Sequence, residues 1–457
     1  MTEHDDFGRS LSERLRAHEA RVPGGTAPDL ATIGSSSVRE RRGWGLGALV
    51  ATGGVAAGLL LVLFLGGRLQ PPTGQATATP QPTASASEIA TQSPSVTTSP
   101  TPSGQQQLSV LQSMALAGDD EIRAIIEFDG GLIGVGRHGD QGAVWLSPDG
   151  ASWTLAPDLP ATEPLDYAAT TMTSIVQGPG GLVAVGTWQT IDVSTPRIWY
   201  SADGQRWSSV YSPSGFERID ALAVGGPGYV AVGVISDDGF TGRPQVWTSP
   251  DGRDWTAGDS LGLTGSLNDI ISGAGMLVAV GSSAFVSSDG ATWTAAPEQA
   301  ALQGAEMRSV AFRNGAFVAT GVITGPGDTF PSTPAIWLSP DGLHWSLVLQ
   351  GGSLQRISQV VSAEEGFVAI GGHFPSAGWS YDPADPKPPA DTIQLWFSTD
   401  GETWSGPTTG FLADGGITLG KATVWGGDLF MPVTMLNAGP DGPVYQPAIL
   451  RGPLPLQ

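Results

Sequence analysis

A chain of 457 residues exceeds one ordinary core, yet its 65 Gly and 36 Pro exclude long helices over most of it, and 40% apolar against 14% charged residues suits many short buried strands joined by turns. The formal charge of −22 falls on residues 108–457. That excludes the basic patches phosphate binding needs, so nucleic acid is not an expected partner. The absence of Cys removes disulfide and thiolate chemistry without fixing a compartment.

In chain order, residues 1–42 read as a tail. Phe7, Leu11 and Leu15 recur at helical spacing, with acids early and Arg late as a helix dipole prefers, which predicts one short amphipathic helix over Asp5–Arg21. Gly43–Gly67 is a run of 25 residues without a charge, and about 20 apolar residues suffice to cross a bilayer, so the expectation is a single transmembrane helix acting as a signal-anchor. Arg39, Arg41 and Arg42 before it, against Arg68 after it, place residues 1–42 in the cytoplasm. The expected localisation is therefore the plasma membrane of a bacterium, single-pass, with membrane lipid as a partner and the rest of the chain extracytoplasmic. A cleaved signal peptide is the alternative, with Arg41-Arg42 as a twin-arginine start and Ala76-Thr77-Ala78 as a cleavage site; the long leader and long apolar run favour the uncleaved anchor. Residues 68–107 are nearly all Pro, Thr, Ser, Ala and Gln, a composition that cannot bury a core and predicts a disordered linker.

Residues 108–457 are repetitive. Ser-x-Asp-Gly-x-x-Trp occurs six times, beginning at Ser147, Ser201, Ser249, Ser287, Ser339 and Ser398, and the period of 38 to 59 residues lies in the propeller and solenoid range. Between these boxes a second repeat of 14 residues aligns without gaps at Arg123, Thr173, Asp220, Asn268, Arg308, Ser358 and Lys421, and each copy reads as strand, Gly-rich turn, strand. Seven such hairpins predict an all-β, seven-bladed β-propeller of four-stranded antiparallel blades. The hairpin supplies strands a and b, strand c enters the box and strand d leaves it. The seventh copy has a strand c at Pro447–Arg451 and nothing after it for strand d, so Leu108–Leu116 is expected to complete that blade and close the ring, removing an open edge.

These residues resemble the Asp-box (BNR, sialidase-like) repeat propellers, a family of sialidases and many non-enzymatic relatives, here as a membrane-anchored bacterial member. The resemblance implies that the box is a fold element, its Asp accepting backbone N–H bonds in the c–d turn. Side-chain chemistry alone gives the same reading, since Asp149, Asp203, Asp251, Asp289, Asp341 and Asp400 each precede Gly as in an Asx-type turn. Eleven of the 15 Trp sit on strands c and d near the boxes and read as packing staples. Two departures weigh against sialidase chemistry. The family's Arg-Ile-Pro signature is absent, and the boxes carry one residue fewer between Asp and Trp than the common form.

Constant a–b and c–d turns share one face of the disc, so the variable connections share the other, where binding is expected. The candidate binding residues are Arg123, Asp220, Arg308 and Lys421 in the ring at the start of strand a, with Trp188, Trp379 and Tyr381 in the loops. No residue is assigned as catalytic, and no metal or cofactor is expected. The main functional expectation is a membrane-anchored extracytoplasmic module that binds a glycan or protein ligand without turnover. The alternatives are a sialidase-like glycoside hydrolase, with Arg123, Arg308 and Arg356 as a conceivable carboxylate clamp, or a sensor signalling through residues 1–42.

Overall fold

The chain divides into two compact units, residues 1–62 and 63–457. The computed structural model describes residues 111–454 except 117–119, 158–167, 191–193, 212–215, 227, 237–241, 259–264, 326–332, 353–354, 378, 381–386 and 440–441, all within the second unit.

These residues form seven antiparallel sheets, and in six of them the strand order is the order of the chain. Blade 1 runs through strand a (Asp120–Phe128), b (Gly131–His138), c (Gln141–Ser147) and d (Thr154–Leu155), and blades 2 to 6 repeat the plan through strands c that end at Ser201, Ser249, Ser287, Ser339 and Ser398. Blade 7 completes the ring as expected. Gln112–Ala115 pairs antiparallel with strand c (Gly442–Pro453) in the register Gln112↔Arg451 to Ala115↔Ala448, supplying the missing strand d. The inner strand of blade 7 differs from expectation. It is split into Gly416–Leu419 and Thr423–Trp425, which both pair with strand b (Asp428–Gly439), leaving Lys421 in the gap.

The core is not one cluster but seven, each filling the space between neighbouring blades. Val230, Val232 and Val246 of blade 3 meet Leu267, Ile270 and Phe285 of blade 4. Tyr229, Ala231 and Trp247, which alternate with them, meet Val183, Val185 and Ile198 of blade 2. Both faces of strand b are therefore buried, which is why it reads as an unbroken apolar run such as Leu277–Val280 rather than alternating. Leu111, 1% exposed, seats the closing strand in the cluster between blades 6 and 7.

The membrane part of the sequence reading is corrected. Among the described residues no helix is long and apolar enough to cross a membrane, and Gly43–Gly67 lies outside the described residues. The transmembrane helix, the signal-anchor, the membrane-lipid partner, the plasma-membrane single-pass localisation and the extracytoplasmic placement are withdrawn together, as is the sensor reading that rests on them. The tail helix and the linker also lie outside the described residues.

Candidate functional site

The box residues are bonded alike in all six copies. Asp289 Oδ1 accepts the N–H groups of Ala291 at 2.9 Å and Thr292 at 2.7 Å, and Asp149, Asp203, Asp251, Asp341 and Asp400 do the same two and three residues on. The box Ser Oγ accepts the box Gly N–H, as in Gly290 to Ser287 at 2.8 Å. The indole N–H of Trp207, Trp255, Trp293, Trp345 and Trp404 donates to the box Gly carbonyl; Trp153 is the exception, its buried Nε1 unpartnered. Those N–H bonds favour the ionised carboxyl and hold Asp289 down to about 2; in Asp341 burial opposes them, yet its bonds to His344 and Leu343 still bring it to about 2. Box Gly residues also touch the preceding blade. A Cβ on Gly342, at φ +73°, would lie 2.6 Å from Val278. The box is thus a fold element that aligns one blade on the next.

The ring at the start of strand a has a common backbone cause. In six blades the a–b register shifts at one residue, and the residue left over is Arg123, Thr173, Asp220, Asn268, Arg308 or Ser358. Each is a β-bulge, the device by which a strand re-aims a side chain. Opposite the bulge the carbonyl before it crowds strand b so closely that a Cβ would sit 1.8 Å from Glu121 O at Gly136, 1.9 Å from Thr171 O at Gly186 and 2.1 Å from Glu306 O at Gly321. This is why each hairpin ends in Gly. Blade 7 has Thr434 there, and its strand a breaks around Lys421 instead of bulging within one strand.

Lys421 lies across the ring from its own blade. Its Nζ stands 3.4 Å from Ser174 Oγ of blade 2, 3.4 Å from the Asp220 carbonyl of blade 3 and 3.7 Å from Asp269 Oδ1 of blade 4. Its backbone N–H donates to Arg123 O at 2.7 Å. Arg123 is committed to Glu121 at 2.8 Å. Burial pushes the Glu121 carboxyl up, but Arg123, Thr434 and Arg137 together outweigh it and hold it below its ordinary value. Asp220 takes two bonds from Arg218 Nε, at 2.7 and 3.0 Å; burial nevertheless pushes its carboxyl up, aided by Asp269 and opposed by Arg218 and Lys421. Asp269 accepts the Val310 N–H at 3.0 Å.

Arg308 stands apart from these. Among the described residues neither it nor Arg356 forms an ion pair, and Arg308 Nε is buried without an acceptor. Burial and the like charge of Arg356 both lower the Arg308 guanidinium from its usual value, with Glu306 opposing. Glu306 is itself held by Ser266 Oγ at 2.9 Å and Asn268 Nδ2 at 2.6 Å.

The loop candidates do not converge with this ring. Trp188 is covered by the Arg197 guanidinium, 5.3 Å from the ring centroid. Trp379 closes a turn, its N–H donating to Ser376 O at 2.9 Å. Tyr381 lies outside the described residues. Asp391, a loop acid by sequence, is fully buried and accepts Ser376 N–H at 3.0 Å and Ile417 N–H at 2.8 Å, so it organises its loop.

Sequence reasoning missed a cavity of about 340 Å³ on the opposite face, among the a–b turns, with Glu127, Arg313, Glu364 and Trp425 in its wall. Turn length is the only sequence signal there, and constant turns lack the variability that points to a binding face. Its charges come from blades 1, 5 and 6, far apart in sequence.

Strand order and the closing strand define the chain as a seven-bladed β-propeller. No family model matches the chain, and no curated protein matches it. Among solved structures, phage phi92 endosialidase is 11% identical over 76% of this chain and 70% of its own, with a TM-score of 0.41. Trypanosoma rangeli sialidase in complex with sialic acid is 12% identical over 74% of this chain, with a TM-score of 0.39, and the chain spans 58% of its length. The GH93 α-L-arabinofuranosidase of Fusarium graminearum, solved with arabinobiose, is 13% identical over 64% of this chain and 95% of its own, with a TM-score of 0.36. Likenesses at this level carry nothing about the chemistry of this chain.

Proposed function

We propose that the propeller is a ligand-binding module that takes up a small organic anion, of the sugar-acid type, at the bulge-ring mouth. The observation that carries this reading is Arg308: a buried guanidinium nitrogen without an acceptor, beside the like charge of Arg356 and, among the described residues, with no ion pair on either. Leaving such a group unpaired is costly, and a bound carboxylate spanning both guanidiniums relieves desolvation and repulsion together. Arg123 is less available, because Glu121 already neutralises it. Calorimetry with N-acetylneuraminate and glucuronate tests the proposal. Binding that weakens at least about tenfold in Arg308→Gln supports it, in line with about 1.4 kcal/mol for a lost charged contact. No saturable binding of either acid, or binding indifferent to Arg308→Gln, overturns it.

A second reading, glycoside hydrolysis, draws on Asp220 and Asp269. Most glycoside hydrolases, sialidases with their Tyr nucleophile excepted, use two carboxyl groups in unlike environments. Here burial raises Asp220 while Asp269 accepts a backbone N–H, with Lys421 near both. Release of fluorophore from a panel of aryl glycosides and sialosides, abolished by Asp220→Asn, replaces the binding reading with this one.

A further inference from the structure

We infer that the cavity on the a–b-turn face is a second binding site, independent of the bulge ring, and that it takes a small zwitterion bearing both a carboxylate and an ammonium group, such as a free amino acid or a short peptide. At about 340 Å³ it falls at the small end of ligand-site volumes, room for a metabolite rather than a protein segment. Three of its wall residues carry charge: Arg313 at the end of strand a in blade 5, Glu127 at the end of strand a in blade 1, and Glu364 in the turn of blade 6. Among the described residues none of the three forms an ion pair, and Arg313 Nε is buried with no acceptor. Opposite charges held around one space without touching one another neither neutralise each other nor collapse the cavity.

That arrangement selects by repulsion as much as by attraction. A simple anion is drawn to Arg313 and repelled by Glu127 and Glu364. A simple cation meets the reverse. Only a ligand with both charges satisfies both sides. Trp425 supplies an aromatic wall for the uncharged part or for the ammonium, and it is held in place by Phe430, with ring centroids 6.0 Å apart and planes tilted by 58°. The adjoining turn is open. Gly426 and Gly427 adopt φ of +60° and +82°, and a Cβ on either would meet nothing within 4 Å. The wall is therefore firm on the Trp425 side and accessible on the turn side. Because Glu127 and Glu364 are exposed and Arg313 is half-buried, affinity near a millimolar is expected.

The test is calorimetry or ligand-observed magnetic resonance on the full chain with glycylglycine, N-acetylglycylglycine and glycylglycinamide. Glycylglycine is expected to saturate, and removal of either charge is expected to weaken binding at least about fivefold. Arg313→Gln is expected to erase the preference for the free carboxylate, so that glycylglycinamide binds as well as glycylglycine. Glu364→Gln is expected to narrow the preference for the free amine. Arg308→Gln, at the other mouth, is expected to leave all three isotherms unchanged. No saturation of the wild-type protein by about 50 mM glycylglycine, equal binding of the capped compounds, or loss of binding in Arg308→Gln each overturns the inference. The capped compounds on the wild-type protein decide the matter even where a variant fails to fold.

Discussion

At the box turns six blades carry the same Ser, Asp and Gly and bond them the same way, whereas at the strand-a bulges six blades share a backbone deviation and carry Arg, Thr, Asp, Asn, Arg and Ser, with Lys421 in the strand break of the seventh. Where geometry and residue type repeat together, the fold needs both. Where geometry repeats and residue type does not, the backbone is already satisfied by the bulge and the glycine opposite, and the side chain is free for another task. The box end holds blades in register; the bulge end presents chemistry.

The sharpest way to break that contrast is to exchange its expected costs. Trp345, 4% exposed with its indole N–H on Gly342 O at 2.9 Å, belongs to the structural end, and Trp345→Ala is expected to cost about 3–5 kcal/mol in urea unfolding. Arg308→Gln, at the other end, is expected to leave the same quantity unchanged or raised while altering ligand binding, because it removes a buried guanidinium nitrogen that has no acceptor. A large stability loss in Arg308→Gln would place the bulge side chains with the boxes. Next in size is Gly321→Ala, whose Cβ would meet Glu306 O at 2.1 Å; overpacking of this kind costs about 1–3 kcal/mol. Thr434→Gly, which restores the repeat's glycine in blade 7, is expected to cost less, since that blade already accommodates a side chain there and gives up only the Thr434 bond to Glu121 at 2.6 Å.

The smallest effect is the pH dependence that the boxes contribute. Asp289 and Asp341 are depressed to about 2 in the folded chain, against about 3.9 unfolded. Their contribution is therefore complete above roughly pH 4 and is lost as pH falls through about 2. Melting temperature followed from about pH 5 to about pH 2 should fall over that window, and Asp289→Asn should make the fall shallower.

The blade count, the box turns and the closing strand were legible in the sequence because each is a local pattern repeated with fixed spacing. Gly321 and its counterparts were visible as a motif, but their cause, a carbonyl pressed against strand b by a bulge, needed the pairing register. The ring residues were chosen by position alone, and only coordinates separate the paired Arg123 from the unpaired Arg308. Trp188 misled because a loop aromatic looks alike whether it meets a ligand or its own neighbour Arg197. The turn-face cavity was invisible because Glu127, Arg313 and Glu364 are separated by some 240 residues and meet only when the ring is closed.

The seam formed by Gln112–Ala115 and Arg451–Ala448 sets an order of events during synthesis. The strand that leaves the ribosome first among the described residues finds its partner only when nearly the whole chain has emerged. Until then blade 1 lacks its neighbour, and Ile122, Ile125 and Trp145 have neither Phe430 nor Ile449 to cover them. A nascent chain halted before residue 448 is thus an arc with two sticky ends, and its safety depends on how quickly Asp428–Gly439 and Gly442–Pro453 are made.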